Sequence, residues 1–164
     1  MGYDRIHDRE ETEAERLDRQ LGELLQEVRV AVPGVQVLFA FLLTVPFAAR
    51  FGETNSLQRY VYIATLLMTA VATALLMGPG AIHRVLFQRG QKDYIVRLAQ
   101  WLTLLGFGVL AGAIGLAVFL VTDMVFTLTP AAIAAAAILA FTVGIWYLLP
   151  LTRRLRATER QPEE

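Results

Sequence analysis

Along this chain the hydrophobic and polar positions fall into blocks instead of alternating. Uncharged, strongly apolar runs extend from Val30 to Ala49, Tyr60 to Ile82, Leu98 to Thr122 and Met124 to Thr152. At a helical rise of about 1.5 Å per residue, each run reaches across the roughly 30 Å of a bilayer's hydrocarbon core. One ionised side chain at the centre of such a helix costs about 2.5–3.5 kcal/mol, which roughly five to ten Leu-class residues at about −0.3 to −0.6 each are needed to offset. The four charge-free runs therefore predict an all-α, four-transmembrane-helix bundle with spans at about 31–49, 60–82, 98–121 and 130–151.

The residues before the first run follow a different pattern. From Thr12 onward Leu17, Leu21, Leu24, Leu25 and Val28 form a one-sided stripe among charged neighbours, which predicts an N-terminal amphipathic interfacial helix over 12–29 lying along the inner membrane surface. Thr12 to Glu15 reads T-E-A-E, a capping box that satisfies free amides at a helix start. Glu15 to Arg19 and Arg19 to Glu23 are opposite-charge steps of four residues that support the same helix. Residues 1–11 lack apolar periodicity and read as a disordered polar tail, which contains His7. Pro33 removes the donor that would reach the Arg29 carbonyl, and Gly34 follows it, leaving two alternatives: a bend or break at the membrane entrance, or a mild kink in one continuous helix.

Further along, Arg50 to Arg59 reads as a short polar turn. The second run carries Tyr62, Thr65, Thr69 and Thr73 on one stripe, placed for helix packing or for back-bonding within their own helix. Gly78-Pro79-Gly80 predicts a stop, followed by an internal loop from His83 to Arg97. Gly106, Gly108, Gly112 and Gly115 in the third run, and Ala132, Ala136, Ala140 and Gly144 in the fourth, are small residues at close-packing spacings. They predict either tight packing of the third helix on the fourth or a homo-oligomer face. Thr129 reads as a cap with Pro130 at the first helical position, and residues 153–164 as a basic, then polar, cytoplasmic tail.

Composition narrows the class. In 164 residues, 55% hydrophobic and 18% charged, the formal net charge is zero, and the concentrated basic face that phosphate contacts need is missing, so nucleic acid is excluded as a partner. Charge is nevertheless uneven: residues 10–29 carry seven acids against three arginines, net −4, and residues 83–97 carry four bases against one acid, net +3. Those two segments attract. An arrangement with both termini cytoplasmic places eleven Lys or Arg residues from position 16 onward inside and only Arg50 and Arg59 outside, which the positive-inside rule favours in a cell membrane. Trp101, Trp146 and Tyr147 then sit at the inner aromatic belt. The polar first 29 residues predict no cleaved signal peptide.

Candidate chemistry is sparse. With no cysteine and two histidines, no metal-ligand set, nucleophile elbow or phosphate-cradling loop is visible. No catalytic, cofactor or metal site is expected, and an enzyme is the least expected class. Gln36 is the deepest strongly polar side chain of the inner half, suited to an aqueous vestibule or to a cross-helix hydrogen bond. Asp123 closes the third run as a cation mouth, a proton acceptor or an interfacial turn residue. His83 and Arg84 at the inner surface offer a pH-responsive group and a ligand for an anionic lipid phosphate, or a simple interface anchor.

The segments GELLQEVRVAVPGVQVLFAFLLTVPF and QRYVYIATLLMTAVATALLMGPGAIHRVLF, with the late Trp-Tyr-Leu-Leu-Pro, give the chain a resemblance over about Arg16 to Leu151. It resembles a family of small actinobacterial four-span membrane proteins of unknown function, some of whose members carry an automatic sodium/proton antiporter label. The resemblance carries over Glu23, Glu27, Arg29, Gly34, Gln36, His83 and Arg84, with no role assigned to any of them. Pro33 departs from the polar or small residue expected at its position. From the residues themselves, no ionisable group lies near the midplane to couple ions. The leading expectation is an accessory, structural or regulatory membrane component that homo-oligomerises, with residues 12–29 docked on 83–97. The alternatives are an oligomeric ion channel or cation/proton transporter lined by Gln36, the threonine stripe and Asp123, and an anionic-lipid or pH sensor at His83 and Arg84.

Overall fold

The computed structural model describes residues 12–86 and 92–148. The expected tail 1–11, the 87–91 connection, the 149–164 tail and the side chain of His83 lie outside the described residues. Four helices make the fold: α1 (Glu13–Thr44), α2 (Ser56–Leu86), α3 (Lys92–Val125) and α4 (Leu128–Val143), the last prolonged by a π-helical segment, Gly144–Leu148. All four are long and apolar enough to cross a membrane, as the charge-free runs predict. The architecture is an all-α four-helix bundle.

α1 starts where the capping box places it. The Glu15 amide donates to Thr12 Oγ1 at 3.4 Å, and the Thr12 amide donates to Glu15 Oε2 at 2.9 Å. The lead-in is not a separate surface element, because α1 runs unbroken for 32 residues through Pro33. Of the two alternatives at Pro33 the continuous helix is the one found: Pro33 is exposed, so its ring displaces nothing that packs. The apolar stripe expected to face lipid is covered by protein instead. Leu21 is buried with Ile95, Val96 and Ala99 of α3, and Leu17, Leu24, Leu25 and Ile82 pack around them. A fully buried Leu, Ile or Val gains about 1.5–3 kcal/mol by leaving water, and a neighbouring helix removes it from water as well as a bilayer surface does.

Two more clusters hold α1 further along. Val28 and Val35 pack with Ala72, Leu76 and Leu110, and Leu42 packs with Tyr62 and Leu120. The buried residues of α1 are thus Leu21, Val28, Val35 and Leu42, one every seven residues, the repeat of left-handed helix packing. At the C-terminal end of α1 the Leu42 carbonyl accepts from the Val45 amide, Pro46 having no N–H to offer it. Tyr62 supplies its hydroxyl to that oxygen at 2.9 Å, and its ring stands edge-on to Phe51 at 5.4 Å.

Two boundaries differ from expectation. α2 continues through Gly78-Pro79-Gly80 to Leu86, and α3 begins at Lys92, so most of the expected 83–97 loop is helix. Pro79 removes one backbone bond, but it is among the fully buried side chains, and its packing offsets the loss. α4 starts at Leu128 after Thr127, two residues before the expected start, and Thr127 makes no side-chain cap. Pro130 still falls within the first turn, whose amides have no intrahelical partner.

α2 and α3 form the most extensive interface, α1 packs on both, and α4 packs on α3. The glycines of α3 serve two neighbours. A Cβ at Gly106 would meet Leu76 and one at Gly112 would meet Met68, both on α2, whereas Gly108 faces Tyr147 and Gly115 faces Leu139 on the α4 side. The expected third-to-fourth packing is present but uses only part of the small-residue pattern, since Ala132, Ala136 and Ala140 are exposed.

Candidate functional site

The threonine stripe is packing, not lining. Thr65 and Thr69 are completely buried. Thr65, Thr69 and Thr73 donate their hydroxyls to the carbonyls of Val61, Thr65 and Thr69 at 2.7–2.8 Å. Gln36 is exposed on α1, and Asp123 accepts a 2.9 Å hydrogen bond from Gln58 Nε2 between the start of α2 and the end of α3. The proposed lining residues therefore do not converge within one chain. Gln58 also closes a reciprocal cap with Asn55, its amide donating to Asn55 Oδ1 at 2.9 Å and its Oε1 accepting from the Asn55 amide at 3.1 Å. The N-S-L-Q spacing carries that signal, which the reading of 50–59 as a plain turn missed.

The remaining candidates are spread out. Glu23 is exposed and pairs with Arg19 at 3.1 Å. Arg29, Gly34 and Arg84 are exposed, and a Cβ built on Gly34 meets nothing within 4 Å. Among the described candidates Glu27 lines a cavity. That cavity, of about 720 Å³, lies across the N-terminal half of α3 between α1 and the π-helical segment after α4. Glu27, Gln100 and Thr103 give it polar groups, and Trp101, Phe107 and Trp146 give it aromatic ones.

Its wall owes its shape to two local departures from regular helix. The π-helical turn at Gly144–Leu148 holds an extra residue, so that consecutive Trp146 and Tyr147 both line the cavity. Gly108 leaves room for Tyr147 to enter between turns of α3 and donate its hydroxyl to the Leu104 carbonyl at 2.6 Å; a Cβ there would stand 3.1 Å from that oxygen. Trp146 packs edge-on against Phe107 at 5.2 Å. Among the described residues no cluster of His, Asp or Glu is placed to hold a metal ion.

A bundle of four membrane-length helices, one flank of which opens into an aromatic-walled cavity with a single carboxylate, defines a multi-pass membrane protein. The chain belongs to DUF6328, a family of unknown function, whose model matches residues 10–150. No curated protein and no solved structure matches it.

Proposed function

We propose that the protein is a non-enzymatic, accessory or regulatory component of the cell membrane that works as a homo-oligomer. The observation that carries this reading is the position of Gln36. It is exposed on α1, seven residues beyond Arg29, hence about 10 Å along the helix and inside the hydrocarbon. It follows the buried Val35 directly, which turns it about 100° round the helix from the buried row of Leu21, Val28, Val35 and Leu42. An amide facing lipid lacks a partner for its donor and its acceptor. Two copies of one amide related by a twofold axis satisfy each other, each donating to the other's oxygen, and such contacts in membranes stabilise by about 0.6–2 kcal/mol. The neighbouring Pro33 and Ala40, also exposed, keep that face low enough for close approach.

The larger number of Lys and Arg residues on the N-terminal segment, the α2–α3 connection and the C-terminal tail than on the 50–59 connection supports an orientation with both termini cytoplasmic. In this reading the docking of 12–29 on α3 is intramolecular and apolar, and the acidic and basic segments add a screened attraction. Native mass spectrometry or light scattering of the protein in lipid nanodiscs tests the proposal. An oligomer that Gln36→Leu shifts toward monomer, and that Gln36→Cys crosslinks in this otherwise cysteine-free chain, is the expected result. A monomeric wild-type protein overturns it.

A further inference from the structure

Four buried or half-buried threonines of the helices, Thr65, Thr69, Thr73 and Thr142, back-bond to the carbonyl four residues earlier. Thr103 does not. It is only 5% exposed, its hydroxyl oxygen has no hydrogen-bond partner, and it lines the inner-leaflet cavity. A buried hydroxyl without a partner is costly; the oxygen itself is covered while the residue lines the cavity, so a turn about χ1 that brings the hydroxyl to a partner from outside the chain relieves that cost.

The rest of the cavity narrows what that partner is. Glu27 is the charged side chain that lines it, on the α1 side, and Gln100 of α3 adds an amide. The rings of Trp101, Phe107 and Trp146, of a kind whose faces attract cations, line it too. Leu104 adds apolar wall further into the third run, and Leu24 adds more about one turn before Glu27. By sequence the cavity straddles the membrane boundary, since Glu27 precedes the first uncharged run while Thr103 and Phe107 lie inside the third. A carboxylate at the water side, aromatic faces beside it and apolar walls deeper in together complement a molecule with a positive head and an apolar body.

We infer that this cavity binds an ammonium-bearing amphiphile from the inner leaflet, its cationic head against Glu27 and the tryptophans and its polar neck on Thr103. Two sources share that chemistry, a free organic cation and the headgroup of an aminophospholipid. The site is built within one chain and stands whether or not copies associate.

Both tryptophans of the protein line the cavity, so its intrinsic fluorescence reports on the site directly. The purified full-length protein in a neutral maltoside detergent is titrated with dodecylpyridinium, whose ring quenches tryptophan on contact. Saturable quenching is expected, with short-chain N-methylpyridinium giving only unsaturable collisional quenching. Glu27→Gln, at an exposed position that leaves the fold intact by circular dichroism, weakens the apparent Kd about tenfold or more, the loss expected for one charge-assisted contact. Thr103→Val weakens it severalfold while leaving the ligand-free protein equally or more heat-stable, an outcome that a merely structural hydroxyl would not give. Displacement of the probe by phosphatidylethanolamine assigns the headgroup source, and its failure to displace assigns the free cation. Equal displacement by phosphatidylglycerol, unsaturable quenching of the wild type, or unchanged affinity in Glu27→Gln overturns the inference.

Discussion

What a glycine contributes depends on what its neighbour can yield. A Cβ at Gly106 would stand 2.9 Å from Cγ and Cδ2 of Leu76, a fully buried side chain with nowhere to move, while one at Gly112 would meet the terminal methyl of Met68 at 2.5 Å. Gly106→Ala is therefore expected to destabilise by about 1–3 kcal/mol, as overpacking does, and Gly112→Ala by less, because a methionine methyl swings aside; thermal scans in detergent compare the two. Gln58 and Asp123 allow a similar comparison. Asp123→Asn keeps an oxygen for the Gln58 amide and should change stability little, whereas Gln58→Leu removes that bond and the Asn55 cap together, a loss of about 1–2 kcal/mol. At this scale the sequence was least legible. Thr103 and Thr69 are the same residue type in runs of similar hydrophobicity, and only their three-dimensional neighbours make one of them unpartnered. Glu27 carried no sign that it, and not Glu23, would border a cavity.

Helix start signals fared better than stop signals. The Thr12 capping box fixed the start of α1 because a cap is made by residues a few positions apart, all visible in sequence. The Gly-Pro-Gly at 78–80 did not end α2, because the fate of a proline depends on whether its surroundings compensate for one lost bond, and α3 does so there: Leu102 Cδ1 stands 3.0 Å from where a Gly78 Cβ would be. Pro33 has no such compensation. Pro33→Ala restores the bond to Arg29 on an exposed face, and since a proline inside a helix costs about 3 kcal/mol, the substitution should raise the thermal midpoint; a lower midpoint would mean that the exposed proline contributes packing. The amphipathic stripe of the lead-in is legible as a stripe, and Ile95 and Val96, within the 83–97 segment expected to receive it, cover Leu21; apolar spacing reports that a face leaves water without naming everything that covers it.

At the level of the whole molecule, four spans were legible because the exclusion of charge from lipid acts on every residue of a run at once. Their arrangement was not. Which helix lies beside which depends on complementary surfaces such as the split glycine faces of α3, and these have no one-dimensional signature. Intrachain docking of the inner part of α1 gives a direct check: the cysteine pair Leu21→Cys with Ile95→Cys should crosslink within single chains in membranes, and failure of that pair to crosslink under oxidation would place the first turns of α1 elsewhere.

α1 spans 32 residues without interruption, about 48 Å end to end, and is clamped near both extremities and at its middle by three separate side-chain clusters. A rod gripped at three heights has no hinge at which to absorb a push. A force on its acidic foot is passed up to Leu42 and Tyr62 as a pivoting of the entire rod, so the two sides of the membrane are joined mechanically by one piece of secondary structure.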